Sequence, residues 1–237
     1  MDSVKKYGTE DSVNWRTNTM RYKAIIFDLD GTLLDTLDDL AAAANQALAA
    51  MGQPGHPVAN YRYFVGDGLR TLMARILPEP LQSRAGIETA MALFEKEYAT
   101  SWHQRSAPYP GITDLLDQLT AAGWPMSILS NKPHDFTRIC VQRLLPHWAF
   151  APLLGQRPGV PKKPDPAAVF EIAAFLDCQP DDILYVGDTA VDMQTASAAG
   201  MDAVGVLWGF RTREELQAAG ARYLISRPDQ LLPLLTY

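Results

Sequence analysis

Cysteine is scarce in this chain: Cys140 and Cys178 are the two in 237 residues, and their spacing fits neither a metal site nor a redox pair. That scarcity fits a reducing compartment and gives no disulfide framework, so the expected location is the cytoplasm. Histidine is equally sparse. His56, His103, His134 and His147 are scattered and form no zinc motif. No apolar run approaches the ~20 residues needed to cross a bilayer. The first residues are polar and carry both charge signs, unlike a signal peptide. Positive charge is also in deficit. The formal net charge is -6 and no basic stripe is visible, which argues against nucleic acid as a partner. Membrane association is not expected either, and the oligomeric state is not readable.

What is present is an ordinary globular composition, 47% hydrophobic and 20% charged, long enough for one large domain or a core with a smaller insertion. Three short apolar runs end in polar residues. Ala24-Ile25-Ile26-Phe27 leads into Asp28-Leu29-Asp30-Gly31-Thr32-Leu33, Met126-Ser127-Ile128-Leu129 into Ser130-Asn131, and Ile183-Leu184-Tyr185-Val186 into Gly187-Asp188, with Asp192 four residues on. Such runs between helical patterns read as parallel strands buried on both faces. Strands are expected near 23–28, 125–130, 149–154, 182–187, 202–207 and 223–225. Helices alternate with them, and a tail helix follows near 228–235. The fold class is therefore α/β, a doubly wound parallel sheet.

One stretch breaks the alternation. Between about 33 and 108 the pattern is helical only, and a βαβ crossover needs one helix rather than three or four. Residues 36–107 read as a small helical domain inserted after the first strand, with 22–35 and 108–237 forming the α/β core. Thr36 and Asp39 look like a capping box at the start of its first helix. Residues 1–21 are taken as an N-terminal extension. Within it, 1–19 have no periodicity; they read as a leader ahead of a start at Met20, or as a disordered extension.

Ligands of open α/β sheets bind beyond the carboxyl ends of the strands. Asp30-Gly31 alone is ordinary turn chemistry. With Asp28, Asp188 and Asp192 on neighbouring strand ends, a common site is the better reading. Clustered carboxylates repel and call for a cation, and hard oxygen donors select Mg²⁺. Ser130, Asn131 and a lysine could complete a phosphate site, a set suited to phosphoryl transfer.

These segments resemble, in order, the four motifs of the haloacid dehalogenase superfamily: Asp28-Leu29-Asp30-Gly31-Thr32-Leu33, Ser130-Asn131, Lys163-Pro164, and Gly187-Asp188-Thr189-Ala190-Val191-Asp192. The resemblance extends over about 22–235 and implies a Rossmannoid core carrying a C1-type cap. It also implies roles. Asp28 is the nucleophile and Asp30 the general acid and base, its carbonyl also binding metal. Lys163 offsets charge, while Ser130 and Asn131 hold phosphoryl oxygens. The metal set is Asp28, Asp30, Asp188 and Asp192, the last directly, through water, or as an anchor behind the ligands. An acid at position 30 favours phosphate chemistry over carbon–halogen cleavage.

Val65-Gly66-Asp67-Gly68, Asn131-Lys132-Pro133, Lys162-Lys163-Pro164-Asp165-Pro166 and Trp208-Gly209-Phe210 give the chain its likeness to phosphoglycolate phosphatases. The implied activity is Mg²⁺-dependent hydrolysis of a small phosphoester, 2-phosphoglycolate first, through an aspartyl-phosphate. The alternatives are a β-phosphoglucomutase-like mutase, a phosphatase for another sugar phosphate or pyrophosphate, and a non-catalytic phosphate-binding regulator. In the cap, Gly66 and Gly68 either bring backbone close to an anion or simply break a helix. Arg70 either pairs with a substrate carboxylate or faces solvent. Lys132 covers the site or faces solvent, Lys162 is a solvated loop charge, and His134 a surface residue.

Overall fold

The computed structural model describes residues 20–236. In chain order the elements are β1 (Ala24–Phe27), β2 (Leu34–Asp35), α1 (Leu37–Ala50), α2 (Tyr61–Phe64), α3 (Leu69–Ile76), α4 (Arg84–Ser101), β3 (Ala107–Pro108), α5 (Ile112–Ala121), β4 (Met126–Pro133), α6 (His134–Leu144), β5 (Leu153–Gln156), α7 (Ala167–Phe175), β6 (Ile183–Gly187), α8 (Ala190–Ala198), β7 (Asp202–Val206), α9 (Arg213–Ala218) and β8 (Tyr223–Ile225). The expected tail helix is a 3₁₀ turn over Pro228–Leu234.

All four residues of β1 are buried, so this strand needs cover on both faces. It obtains that cover at the centre of a parallel sheet ordered β5-β4-β1-β6-β7-β8. The strand's period-two alternation divides the core. Ile25 and Phe27 pack on one side with Leu116 of α5 and Cys140 of α6. Ala24 and Ile26 pack on the other with Val169 of α7 and Met193 of α8. The doubly wound reading is therefore the observed fold. β4 runs on to Pro133 rather than ending at 130, and β5 lies at 153–156 rather than 149–154, so Gly155 and Gln156 belong to a strand.

Helices alone occupy the chain between β2 and β3. Leu40, Ala44, Ala47 and Leu48 form a buried stripe on α1, in one cluster with Ala90, Phe94 and Tyr98 of α4. The two ends of this insertion are pinned together. β2 pairs with β3 antiparallel, Leu34 opposite Pro108 and Asp35 opposite Ala107. Beside that pair, buried Asp39 accepts from the Arg105 amide (3.0 Å), the Ser106 amide (2.8 Å) and the Ser106 hydroxyl (2.7 Å).

These bonds correct the capping-box expectation. Thr36 makes no side-chain cap and donates instead to Asp30 Oδ1 at 2.8 Å, while Asp39 serves the far end of the insertion. A buried carboxylate with several donors outweighs one exposed cap bond. Asp39→Ala, which strands those donors, is expected to lower stability by about 3 kcal/mol, read from the urea unfolding midpoint.

The reading of residues 1–19 lies outside the described residues. Met20 and Arg21, counted above with the extension, join the core: Met20 bridges Thr236, and the Arg21 amide donates to the Leu235 carbonyl at 3.0 Å.

Candidate active site

Asp28 follows the last residue of β1, and its amide is held by the Val186 carbonyl of β6 at 2.9 Å. That backbone bond sets β1 and β6 ending side by side, so Asp28 and Asp188 leave the sheet together. Ligating oxygens of Asp28, Asp188 and Asp192 lie within 4.8 Å of one another, all three residues buried. Asp28 Oδ1 accepts from the Leu29 amide (2.7 Å) and pairs with Lys163 Nζ at 3.0 Å. No described residue donates to its Oδ2. Asp188 accepts from Thr32 Oγ1 (2.9 Å) and the Phe210 amide (2.8 Å). Asp192 caps α8 by accepting from the Thr189 amide and hydroxyl, and its other oxygen takes Lys163 Nζ at 2.7 Å.

Three carboxylates and one ammonium leave two negative charges unbalanced in a buried place. Burial, then the neighbouring Asp192 and Asp28, hold the Asp188 carboxyl well above its ordinary range. Burial also raises Asp28, against the pull of Lys163, to about 7. Burial alone pulls Lys163 down, but Asp192 and Asp28 outweigh it and keep the lysine charged. A divalent cation with hard oxygen preference matches both the donors and the missing charge.

The pH consequence has a definite sign. The folded pKa of Asp28, about 7, exceeds its ordinary 3.8. Without metal, this group's contribution to stability therefore declines as pH rises through that window. Bound cation competes with the same protons. Mg²⁺ is therefore expected to raise Tm more at about pH 8 than at about pH 5.5, measured against EDTA.

Glycines let the backbone close on these acids. Gly31 has φ +87, and a Cβ there would lie 2.2 Å from Asp188 Oδ2; one at Gly209 would lie 2.3 Å from Asp188 Cβ. Gly31→Ala is expected to cost about 2 kcal/mol and to weaken Mg²⁺ binding, measured by urea unfolding and metal titration.

The second wall is a bulge. Leu129 of β4 pairs with Leu154, and Pro133 pairs with Gln156, so β4 carries two extra residues between these points. A bulge re-aims side chains out of the ladder. Here it brings Ser130, Asn131 and Lys132 to a cleft also lined by Asp28, Asp30, Gly66 and Gly68. Asn131 Oδ1 accepts from the Lys163 amide (2.9 Å), and its Nδ2 donates to the carbonyls of Lys163 and Gly66, both at 3.1 Å. Lys132 Nζ reaches Asp30 Oδ1 (3.0 Å) and Tyr98 Oη of α4 (2.7 Å).

The comparisons with known proteins come to the same place. The sequence profile of the haloacid dehalogenase-like hydrolases matches residues 25–206. A phosphoglycolate phosphatase of Pseudomonas putida is 34% identical over 215 residues, covering 89% of this chain and 79% of that one. One from Vibrio parahaemolyticus is 32% identical and covers 90% and 96%. A solved structure from Lactobacillus delbrueckii subsp. bulgaricus, provisionally described as a phosphoglycolate phosphatase, superposes with TM-score 0.85 at 30% identity, covering 92% and 99%. The chain belongs to the haloacid dehalogenase-like hydrolases.

In this member of the haloacid dehalogenase-like hydrolases, Asp28, Asp30, Ser130, Asn131, Lys163, Asp188 and Asp192 are brought together, and Gly66 and Gly68 line the cleft above them. Arg70 is not. Its guanidinium sits outside, half exposed, 3.4 Å from Glu88 of α4. Lys162 is exposed, as expected of a loop charge, and its ammonium also ties to the Asp67 carbonyl and, at 2.9 Å, to Thr71 Oγ1. His134 is half-buried, its Nδ1 accepting from the Gly155 amide at 3.1 Å. Sequence reasoning missed several partners. Thr32 stood inside the first motif and could have been singled out. Tyr98, Arg62 and Arg211 had no local signal. Arg62 donates to the Gly209 carbonyl, and Arg211 donates to the Val65 carbonyl at 2.9 Å.

Proposed function

We propose that this chain is a Mg²⁺-dependent phosphoric monoester hydrolase acting on a small phosphorylated metabolite, with 2-phosphoglycolate the leading substrate. The observation that carries the reading is one cleft lined by two carboxylates two residues apart, each paired with its own buried lysine. Asp28 pairs with Lys163 and keeps an oxygen without a described protein donor, and Asp30 pairs with Lys132 and takes the Thr36 hydroxyl. The relatives' names supply the substrate.

Asp28 attacks phosphorus, and the bond to the leaving alcohol breaks as Asp30 gives that oxygen a proton. Water then attacks the aspartyl-phosphate, passes its proton to Asp30, and releases phosphate with Asp28 restored. Lys163 pulls the nucleophile toward its ionised form, against burial, and offsets charge next to an anionic substrate. Ser130 Oγ and the main-chain N–H of Asn131 offer donors to phosphoryl oxygens, while the Asn131 side-chain amide is already committed to the Lys163 and Gly66 carbonyls. Asp28, the Asp30 carbonyl and Asp188 would hold Mg²⁺, which supplies charge neutralisation for the phosphoryl group. Asp192 acts from behind, since it is already paired with the Lys163 ammonium and takes two donors from Thr189, whereas Asp188 meets only neutral donors from Thr32 and Phe210. Residues 36–107 serve as a cap over the leaving group. That arrangement favours small esters over phosphoproteins.

The test is phosphate release from a panel of small phosphoesters with Mg²⁺ or EDTA. Selective, metal-dependent release from 2-phosphoglycolate supports the reading. No release from any ester by folded protein sinks it, and transfer of phosphate within a sugar without release would indicate the mutase.

A further inference from the structure

Among the described residues lining the cleft, Lys132 is the one cationic side chain. Lys163 lies beneath, committed to Asp28, Asp192 and the Leu129 carbonyl. Arg70 is outside with Glu88. Much of the remaining wall is apolar, including Leu40, Leu72, Phe94 and Phe136. An anionic leaving group entering this cleft therefore meets a single lining ammonium, one it would share with Asp30 and Tyr98, beside an apolar wall where a charge-assisted bond is strong.

Lys132 is also in the right place. Its side chain is 4% exposed, and Nζ lies 3.0 and 3.2 Å from the two oxygens of Asp30. In the proposed mechanism Asp30 protonates the oxygen that leaves phosphorus, so that oxygen would lie beside it. In a two-carbon acid, one methylene separates that oxygen from the carboxylate. A cation touching Asp30 is thus within reach of the substrate's carboxylate, which approaches as a second anion beside the first. Tyr98 Oη, 2.7 Å from Nζ, fixes the ammonium from the α4 side.

We propose that Lys132 is a specificity-determining residue that binds a carboxylate carried by the leaving group, so that the preferred esters are phosphorylated 2-hydroxy acids. The assignment rests on the phosphatase reading above. It also explains how a chain whose Arg70 is turned away can still select an acidic substrate.

The experiment compares kcat/KM for 2-phosphoglycolate and for its neutral carboxamide, with p-nitrophenyl phosphate as an independent ester, in the wild type, Lys132→Met and Lys132→Arg. The wild type is expected to favour the carboxylate by about a hundredfold, the loss typical of stranding one partner of a desolvated charge pair. In Lys132→Met the preference is expected to collapse to about threefold or less whatever the absolute rates, and in Lys132→Arg to persist in part. A lysine that merely positions Asp30 would slow both esters alike and leave the ratio intact, which overturns the proposal. So does a wild-type ratio near one, a result that needs no variant to fold. If folded wild type hydrolyses p-nitrophenyl phosphate with Mg²⁺ while that ratio is near one, only the Lys132 assignment fails. If it hydrolyses none of the three, the phosphatase reading fails and takes the assignment with it.

Discussion

Asp28→Asn is expected to abolish metal-dependent phosphate release, by about 10⁴-fold or more, while leaving the protein folded. The two halves have separate causes. An amide oxygen cannot serve as the nucleophile that forms and releases an aspartyl-phosphate, so the covalent route closes. The fold is spared because the substitution is isosteric and removes one of three crowded negative charges. Lys163 keeps Asp192 and the Leu129 carbonyl as partners. Thermal unfolding in EDTA should therefore be unchanged or shifted upward, while turnover of every ester disappears. Residual activity within about tenfold of wild type would remove Asp28 from the chemistry.

Lys163→Met is expected to fail in the opposite manner, losing both activity and stability. The ammonium is 3.0 Å from Asp28 and 2.7 Å from Asp192, with its side chain 2% exposed. Removing it leaves the carboxylates together without a compensating positive charge. Breaking a buried pair from one side costs about 3–5 kcal/mol. Activity should fall by about 10³-fold, because the nucleophile loses its electrostatic partner and a phosphate dianion meets uncompensated charge. Urea unfolding with EDTA and with Mg²⁺ separates the terms: the stability deficit should be larger in EDTA, since bound cation replaces part of the lost charge. An equal deficit in both would place the metal away from these acids.

The strands were legible because each buried one is a short apolar run, and a run without a polar face has few places to go in a soluble protein. The acids were legible because they follow those runs. Harder to read was anything set by the meeting of distant segments. Lys132 faces the cleft because β4 bulges against β5, and no local pattern encodes that register. Tyr98 reaches it from a helix in the insertion. Arg70 was more readable than the initial alternatives allowed. Leu72, Met73 and Ile76 mark the buried face of α3, and position 70 falls off that stripe. Thr36 and Asp39 fit a local capping pattern, but each found a stronger partner across the fold, a choice invisible at the scale of four residues.

The loop joining α2 to α3 is held by three core side chains, and all three grip main-chain oxygens: Arg211 the carbonyl of Val65, Asn131 that of Gly66, Lys162 that of Asp67. A tether that grips backbone is largely indifferent to the side chains it restrains. Val65 lines the cleft, so its replacement reshapes the space offered to a leaving group while the three anchors stay in place. Drift toward a new ester can then proceed by exchange at Val65 without first loosening the loop's attachment, whereas Gly66 and Gly68, both at positive φ, are held to glycine.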